Sequence, residues 1–245
     1  MKKIIFFSFV FIVASMSGLA SVLFVVPRLA GIAPFSKMAF FNEKRDQTVI
    51  INKTEQVVVE RNTAFRKAYD KNISALVAVK SVSVSGAVQS AGTGFIVSAD
   101  GLILTRREWV GVDQKTTMMV VRGSEEMKAE VVRISEESGL ALLKVNASGL
   151  PVVSFAKDIA GQLGAEVFCI GTKRGSAGQI PFINTGVVKS VDGKMIETNI
   201  YEDFRLATGT PLVNIAGDVT GINSVNSSGY VFAISSDEIS RFLSM

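Results

Sequence analysis

The side chains best placed to do chemistry are Thr105, Arg106, Arg107 and Glu108, just past the end of an apolar run. Glu108 is a carboxylate that could carry a proton. The usual carrier at neutral pH is histidine, and this chain has none. Any acid–base step therefore falls to a carboxylate, Lys or Tyr with a shifted pKa. Other candidates are weaker. Glu136-Glu137 is an adjacent pair that reads as the solvated rim of a turn. Lys144 could in principle serve a Ser–Lys dyad, but it sits inside a strand pattern. Gly171-Thr172-Lys173-Arg174-Gly175-Ser176-Ala177-Gly178 departs from the G-x-x-x-x-G-K-[ST] phosphate loop and reads as an ordinary loop. Cys169, inside Val167-Phe168-Cys169-Ile170, reads as a small core residue, and one cysteine cannot form an internal disulfide. With no histidine and a single cysteine, neither a metal site nor a cofactor is expected.

The elements that must hold these groups are β-strands. Gly92-Thr93-Gly94 opens Phe95-Ile96-Val97, a break falls at Ala99-Asp100-Gly101, and Leu102-Ile103-Leu104 resumes. Asp-Gly between two apolar runs is a strong hairpin signal. The second strand delivers Thr105 to Glu108 to a turn, where a β-scaffold holds working side chains. Similar short runs recur every ten to fifteen residues from Ser74: Leu76–Val79, Met118–Val121, Val131–Ile134, Leu140–Val145, Val167–Ile170, Asn184–Val188, Met195–Thr198, Pro211–Asn214, Val219–Ile222 and Tyr230–Ile234. This spacing predicts an all-β domain of two similar units meeting around residues 146–161. Ser236-Asp237-Glu238 followed by Ile239, Phe242 and Leu243 predicts a short capped C-terminal helix.

The 245 residues divide into three parts: 1–28, 29–62 and 63–245. An uncharged run from Ile4 to Val26 follows Lys2-Lys3, long enough to cross a bilayer, which takes roughly 20 apolar residues. A signal peptide cleaved after Ala20 is the competing reading. The apolar run continues past that site, which favours a single-pass membrane anchor with the larger part outside the cytoplasm; cleavage would make the protein secreted. Residues 29–62 read as a spacer, and Phe65, Ala68, Tyr69 and Ile73 predict an amphipathic helix after Asn62. The 26 basic and 22 acidic residues are scattered, which gives a net charge of +4 and no nucleic-acid footprint.

From residue 74 to 243 the chain resembles the protease domain of HtrA/Deg-type, trypsin-like serine proteases. Gly92–Ser98 and Asp100–Thr105 match G-[ST]-G-F-I-[IV]-S-x-D-G-x-I-L-T, Leu140–Val145 matches L-A-[LV]-L-K-[IV], and Gly209 with Pro211–Asn214 matches G-N-S-G-G-P-L-[VL]-N. Gly217–Asn223 and Phe232–Ile234 match two further motifs, G-x-[VI]-[IV]-G-I-N and G-F-A-I. The resemblance implies two six-stranded antiparallel β-barrels, about 74–146 and 161–235, with a cleft between them. It also places the family's general base on Glu108, its orienting acid on Gly139 and its nucleophile on Thr208. Oxyanion-loop positions fall on Leu206, Thr208 and Gly209, and the substrate-pairing strand on Gly221, Ile222, Asn223, Ser224 and Val225.

All three triad positions are thus substituted. A hydroxyl needs an adjacent, oriented base to act as a nucleophile, and Gly139 has no side chain to orient one. Arg106 and Arg107 would lower the pKa of Glu108 and make it a poorer base. Loss of one oxyanion donor at Leu206 would alone cost roughly 10²–10³ in rate. The expectation is a catalytically inactive pseudoprotease that binds a peptide or protein in the vestigial cleft, or assembles with itself or a relative, as a trimer for example. The alternative is an endopeptidase that uses Thr208. Trp109 either fills the cleft or faces a partner.

Overall fold

The computed structural model describes residues 63–111, 116–157, 162–175 and 178–244, together with 7, 8, 11, 13–18 and 21. The expected anchor at 4–26 lies mostly outside these residues and the spacer at 29–62 wholly outside them. Among the described residues no helix is long and apolar enough to cross a membrane. The chain divides into residues 1–61 and 62–245, and among the described residues every strand lies in the second unit.

Twelve strands form two closed antiparallel barrels. The first holds β1 (Leu76–Val82), β2 (Val88–Ser98), β3 (Leu102–Arg106), β4 (Thr117–Arg122), β5 (Glu125–Ile134) and β6 (Leu140–Val145). The second holds β7 (Glu166–Gly175), β8 (Gly178–Val191), β9 (Met195–Tyr201), β10 (Pro211–Asn214), β11 (Val219–Val225) and β12 (Tyr230–Ser235). Barrel order is β1-β2-β3-β6-β5-β4 and β10-β11-β12-β9-β8-β7, so the two halves share one topology. Residues 171–178 differ from the sequence expectation: Gly171–Gly175 and Gly178 onward extend β7 and β8 as a paired ribbon. The short helix α2 (Phe204–Ala207) has no counterpart in the expected strand pattern.

Period-two alternation explains how the barrels pack. Along β7, Val167 and Cys169 point into the second barrel with Val188, Ile196, Ile200 and Leu212. Phe168 and Ile170 point the other way and join the core of the first barrel with Phe95, Ile103 and Leu143. One strand therefore fills one barrel and seals it against its neighbour. Gly101, at φ +103°, makes the turn between β2 and β3; a Cβ there would lie 2.4 Å from the Val145 carbonyl oxygen.

Two helices close the assembly. Helix α1 (63–73) sets Phe65 edge-on against Phe168, with ring centroids 5.6 Å apart. Its Asn72 is fully buried, and Nδ2 donates to the carbonyls of Ala68 (2.8 Å) and Gly217 (2.9 Å). Helix α3 (Ser236–Ser244) buries Ile239 and Phe242, and the Ser235 hydroxyl accepts from the Glu238 amide as the expected cap. Replacing Asn72 with Ala leaves the Gly217 carbonyl without that donor. The expected loss is about 1–3 kcal/mol, read as a lower urea midpoint with an unchanged slope.

Candidate functional site

The hairpin β2–β3 carries the site. Gly94 lets the strands close up, since a Cβ there would sit 2.8 Å from the Leu104 carbonyl oxygen. The buried Thr105 hydroxyl donates to the Thr93 carbonyl at 2.8 Å and fixes the end of β3. A single 3₁₀ turn, Arg107–Trp109, comes next, and its exit is held by the Ser90 hydroxyl donating to the Trp109 carbonyl. The turn sends Glu108 towards a cavity between the barrels and Trp109 into the second barrel's edge.

Arg106 is the buried charge of the region. Its Nη1 donates to the Ser138 carbonyl at 2.9 Å, and its Nη2 donates to Glu108 Oε1 at 3.1 Å. Gly139 makes room for it. Residue 139 has φ +64°, and a Cβ there would lie 2.6 Å from Arg106 Nη2. The guanidinium fills the space where a side chain at 139 would project. Glu108 therefore pairs with an arginine on its own strand end, and no hydrogen bond joins it to Thr208.

Thr208 lies just beyond α2. Asp203 caps the helix, its Oδ1 accepting from the Arg205 amide at 2.8 Å. The Leu206 amide donates to the Asp203 carbonyl at 3.1 Å and the Thr208 amide to the Phe204 carbonyl at 3.0 Å. The Gly209 amide donates to the Asn223 carbonyl at 2.9 Å. All three backbone donors of the loop are thus spent inside the protein. Thr208 itself is fully buried, and its hydroxyl has no protein partner. Its carbonyl accepts from Trp109 Nε1 at 2.9 Å, and the indole packs on Phe204 with centroids 5.5 Å apart. Gly92 is the floor under that ring: a Cβ there would be 2.2 Å from the indole.

A buried polar cluster backs the loop. The Thr210 hydroxyl donates to the Ala207 carbonyl and accepts from Asn223 Nδ2 at 3.0 Å. Cys169 Sγ lies 3.0 Å from the same hydroxyl. Burial pushes the Cys169 thiol up to about 12, so it stays protonated and serves as a donor.

The cavity between the barrels has a volume of about 610 Å³. Arg106, Glu108 and Gly139 form one wall, and Met195, Phe232 and Ile234 the other. Thr208 and Gly221–Val225 do not line it. Gly221 to Ser224 are buried and Val225 half-buried along β11, which pairs with β10 and β12. Glu136 and Glu137 are exposed rim residues, as the sequence suggests, yet each is engaged: Arg107 meets Glu136, and Lys194 of the second barrel meets Glu137, both at 2.8 Å. The Lys194 ammonium holds the Glu137 carboxyl below its ordinary value, and Glu137 raises Lys194 in turn. Lys144 is committed to Asp100 at 2.6 Å, far from service to a hydroxyl. Among the described residues no cluster of three potential metal ligands occurs.

Two features escape sequence reasoning. One is α2, although its signal is present: Asp203 is a good cap, and Leu206-Ala207 favour helix where the family pattern has Gly-Asn. The other is the role of Trp109 as a donor to Thr208, for which residue type alone carries no signal.

Comparison with known proteins places this geometry. Residues 92–222, more than half of the chain, match the family model described as trypsin-like peptidase domain. A Hahella chejuensis protein named "Probable periplasmic serine endoprotease DegP-like" is 35% identical over 145 residues, covering 56% of this chain and 30% of that protein. Serine protease HTRA1 of Xenopus laevis is 32% identical over 173 residues, covering 63% and 36%. The crystal structure of the serine endoprotease from Yersinia pestis aligns with TM-score 0.64 and 23% identity over 74% of this chain and 65% of that one, a likeness of fold. The chain spans about a third of the length of the curated relatives it matches.

The geometry predicts two outcomes. Trp109→Phe keeps the ring but removes the donor to the Thr208 carbonyl, and is expected to cost about 1–3 kcal/mol in urea unfolding. Cys169 should resist a disulfide reagent at pH 8 while the chain is folded and react fully once it is unfolded. Because folding raises this pKa above its ordinary 9.0, stability is fully present below pH 9 and falls as pH rises towards 12, which a series of melts across that window would record.

Proposed function

The chain belongs to the trypsin-like peptidase domain family, of HtrA/DegP type, and from that premise we propose that it works by binding polypeptide rather than cleaving it. The observation that carries this reading is the state of the loop before Thr208. Hydrolysis by a trypsin-like site needs backbone amides aimed at the carbonyl oxygen where negative charge develops. Here the amides of Leu206, Thr208 and Gly209 donate to carbonyls of the protein itself.

The other two requirements point the same way. A general base must lie within hydrogen-bond reach of the hydroxyl it activates. Glu108 faces Arg106 instead, and the Thr208 hydroxyl is buried away from it. An orienting acid at residue 139 would have to displace the Arg106 guanidinium. A partner in this reading is a peptide or protein segment, or a second copy of the chain or an active relative.

The relatives are named as a serine endoprotease and a serine protease, and that favours the competing reading, an endopeptidase using Thr208. It would require α2 to unwind, Glu108 to leave Arg106, and Thr208 to become exposed. As for location, we propose a single membrane anchor at residues 4–26 with the barrels outside the cytoplasm. The apolar run and the name of the periplasmic relative support this.

Casein digestion by the full chain, with a fluorophosphonate probe in parallel, tests the proposal. Neither hydrolysis nor labelling above a no-protein blank is expected, and Thr208→Ala should change nothing. Hydrolysis that disappears in Thr208→Ala would establish the endopeptidase instead.

A further inference from the structure

Part of the outward face of the second barrel, on β9 and β12, sets apolar side chains among polar ones where a barrel wall meets water. Along β9, Met195, Glu197, Asn199 and Tyr201 point out while Ile196, Thr198 and Ile200 point in. Along β12, Tyr230 and Phe232 point out beside them, paired in register with Tyr201 and Glu197. A solvated face of an antiparallel sheet is ordinarily polar. This one carries a methionine and three aromatic rings, with Tyr201 and Tyr230 edge-on at 5.8 Å.

The same strip is hollow. A cavity of about 400 Å³ lies over it, and the cavity of about 610 Å³ between the barrels lies next to it. The two share Met195 and Phe232, so they form one groove running from Glu108 across β9 and β12 to Tyr230. Volumes of this size are those of ligand sites. Thr208 and Gly221–Val225 take no part in it.

The electrostatics select the occupant. Around the inner cavity the charged side chains are matched in pairs, Arg106 with Glu108, Arg107 with Glu136 and Glu137 with Lys194, whereas Glu197 and Lys189 at the outer cavity, one of each sign, are in no ion pair among the described residues. Glu197 accepts from the Ser190 hydroxyl, and Lys189 lies 5.9 Å from the Tyr230 ring centre. A charged ligand at the inner cavity would break one of these pairs without gain, so the ligand that fits there is uncharged. At the inner end, the Ser138 hydroxyl is buried and without a protein partner, a hydrogen-bonding group that an acyl chain could not use. An extended backbone with apolar side chains could.

We propose that this groove, not the edge of β11, is the polypeptide-binding site, and that its ligand is an extended, uncharged segment bearing aromatic or aliphatic side chains. The inference rests on the reading of the chain as a polypeptide binder and moves its site to the wall formed by Met195, Phe232 and Tyr230.

The test uses the full chain in detergent micelles, probed with an array of short overlapping peptides tiling reduced, carboxymethylated α-lactalbumin. Wild type should retain the uncharged, aromatic-rich peptides. Met195→Glu and Tyr230→Ser, both at outward-facing positions, should each weaken retention at least about tenfold, while Val225→Lys leaves it unchanged; circular dichroism checks that all three variants are folded. Loss confined to Val225→Lys overturns the groove but leaves the binding reading standing. Retention of no peptide by wild type overturns both, and so does Tyr230-dependent binding to phosphatidylcholine vesicles in place of peptides.

Discussion

The indole of Trp109 joins the two barrels at the point where the family's chemistry is expected. Its Nε1 donates to the Thr208 carbonyl, its ring rests on Phe204, and Gly92 lies beneath it. A bulky ring in this position requires three accommodations: a glycine in β2, an aromatic residue on α2, and a loop whose carbonyl faces the first barrel. All three are present. The helical turn of α2 presents that carbonyl, and the same turn consumes the amides of Leu206 and Thr208. The clamp between barrels and the loss of free amides are therefore one arrangement with two consequences.

Arg106 applies the same logic on the other wall. A guanidinium removed from water must have its donors met, because an uncompensated buried charge is far more costly than a paired one. The Ser138 carbonyl and Glu108 meet two of them. Glu108 is consequently part of what keeps Arg106 buried, and detaching it to serve as a base would leave the arginine exposed to that cost. Gly139 completes the set, with no side chain to compete for the same space. The carboxylate of Glu108 and the space at Gly139 are thus both taken up by Arg106.

Much of the fold is legible in the order of residues. The Asp100-Gly101 hairpin, the recurrence of short apolar runs and the capped terminal helix all come from local rules, and the structure has them. Gly92, Gly139 and Thr208 are visible as positions of interest, but the sequence carries no measure of which side chain enters which void. The space at Gly139 is filled from a residue 33 positions earlier, and Thr208 is met by one 99 positions away. Contacts of that range depend on barrel closure and leave no periodic trace. The pairing of residues 171–175 with the strand that begins at Gly178 is hidden for another reason: the glycines and polar residues there resemble a loop, while pairing between β7 and β8 overrides that local preference.

The central claim is that the loop ending at Thr208 is a structural turn whose amides are bonded within the protein. Hydrogen exchange measured residue by residue by NMR addresses it directly. Slow exchange is predicted at the Leu206 and Thr208 amides and at the Trp109 indole N–H, all released together with the surrounding strands. Rapid exchange at Leu206 and Thr208 alongside protected strands β10 and β11 would contradict the account, because it would mean that the loop opens and frees its donors.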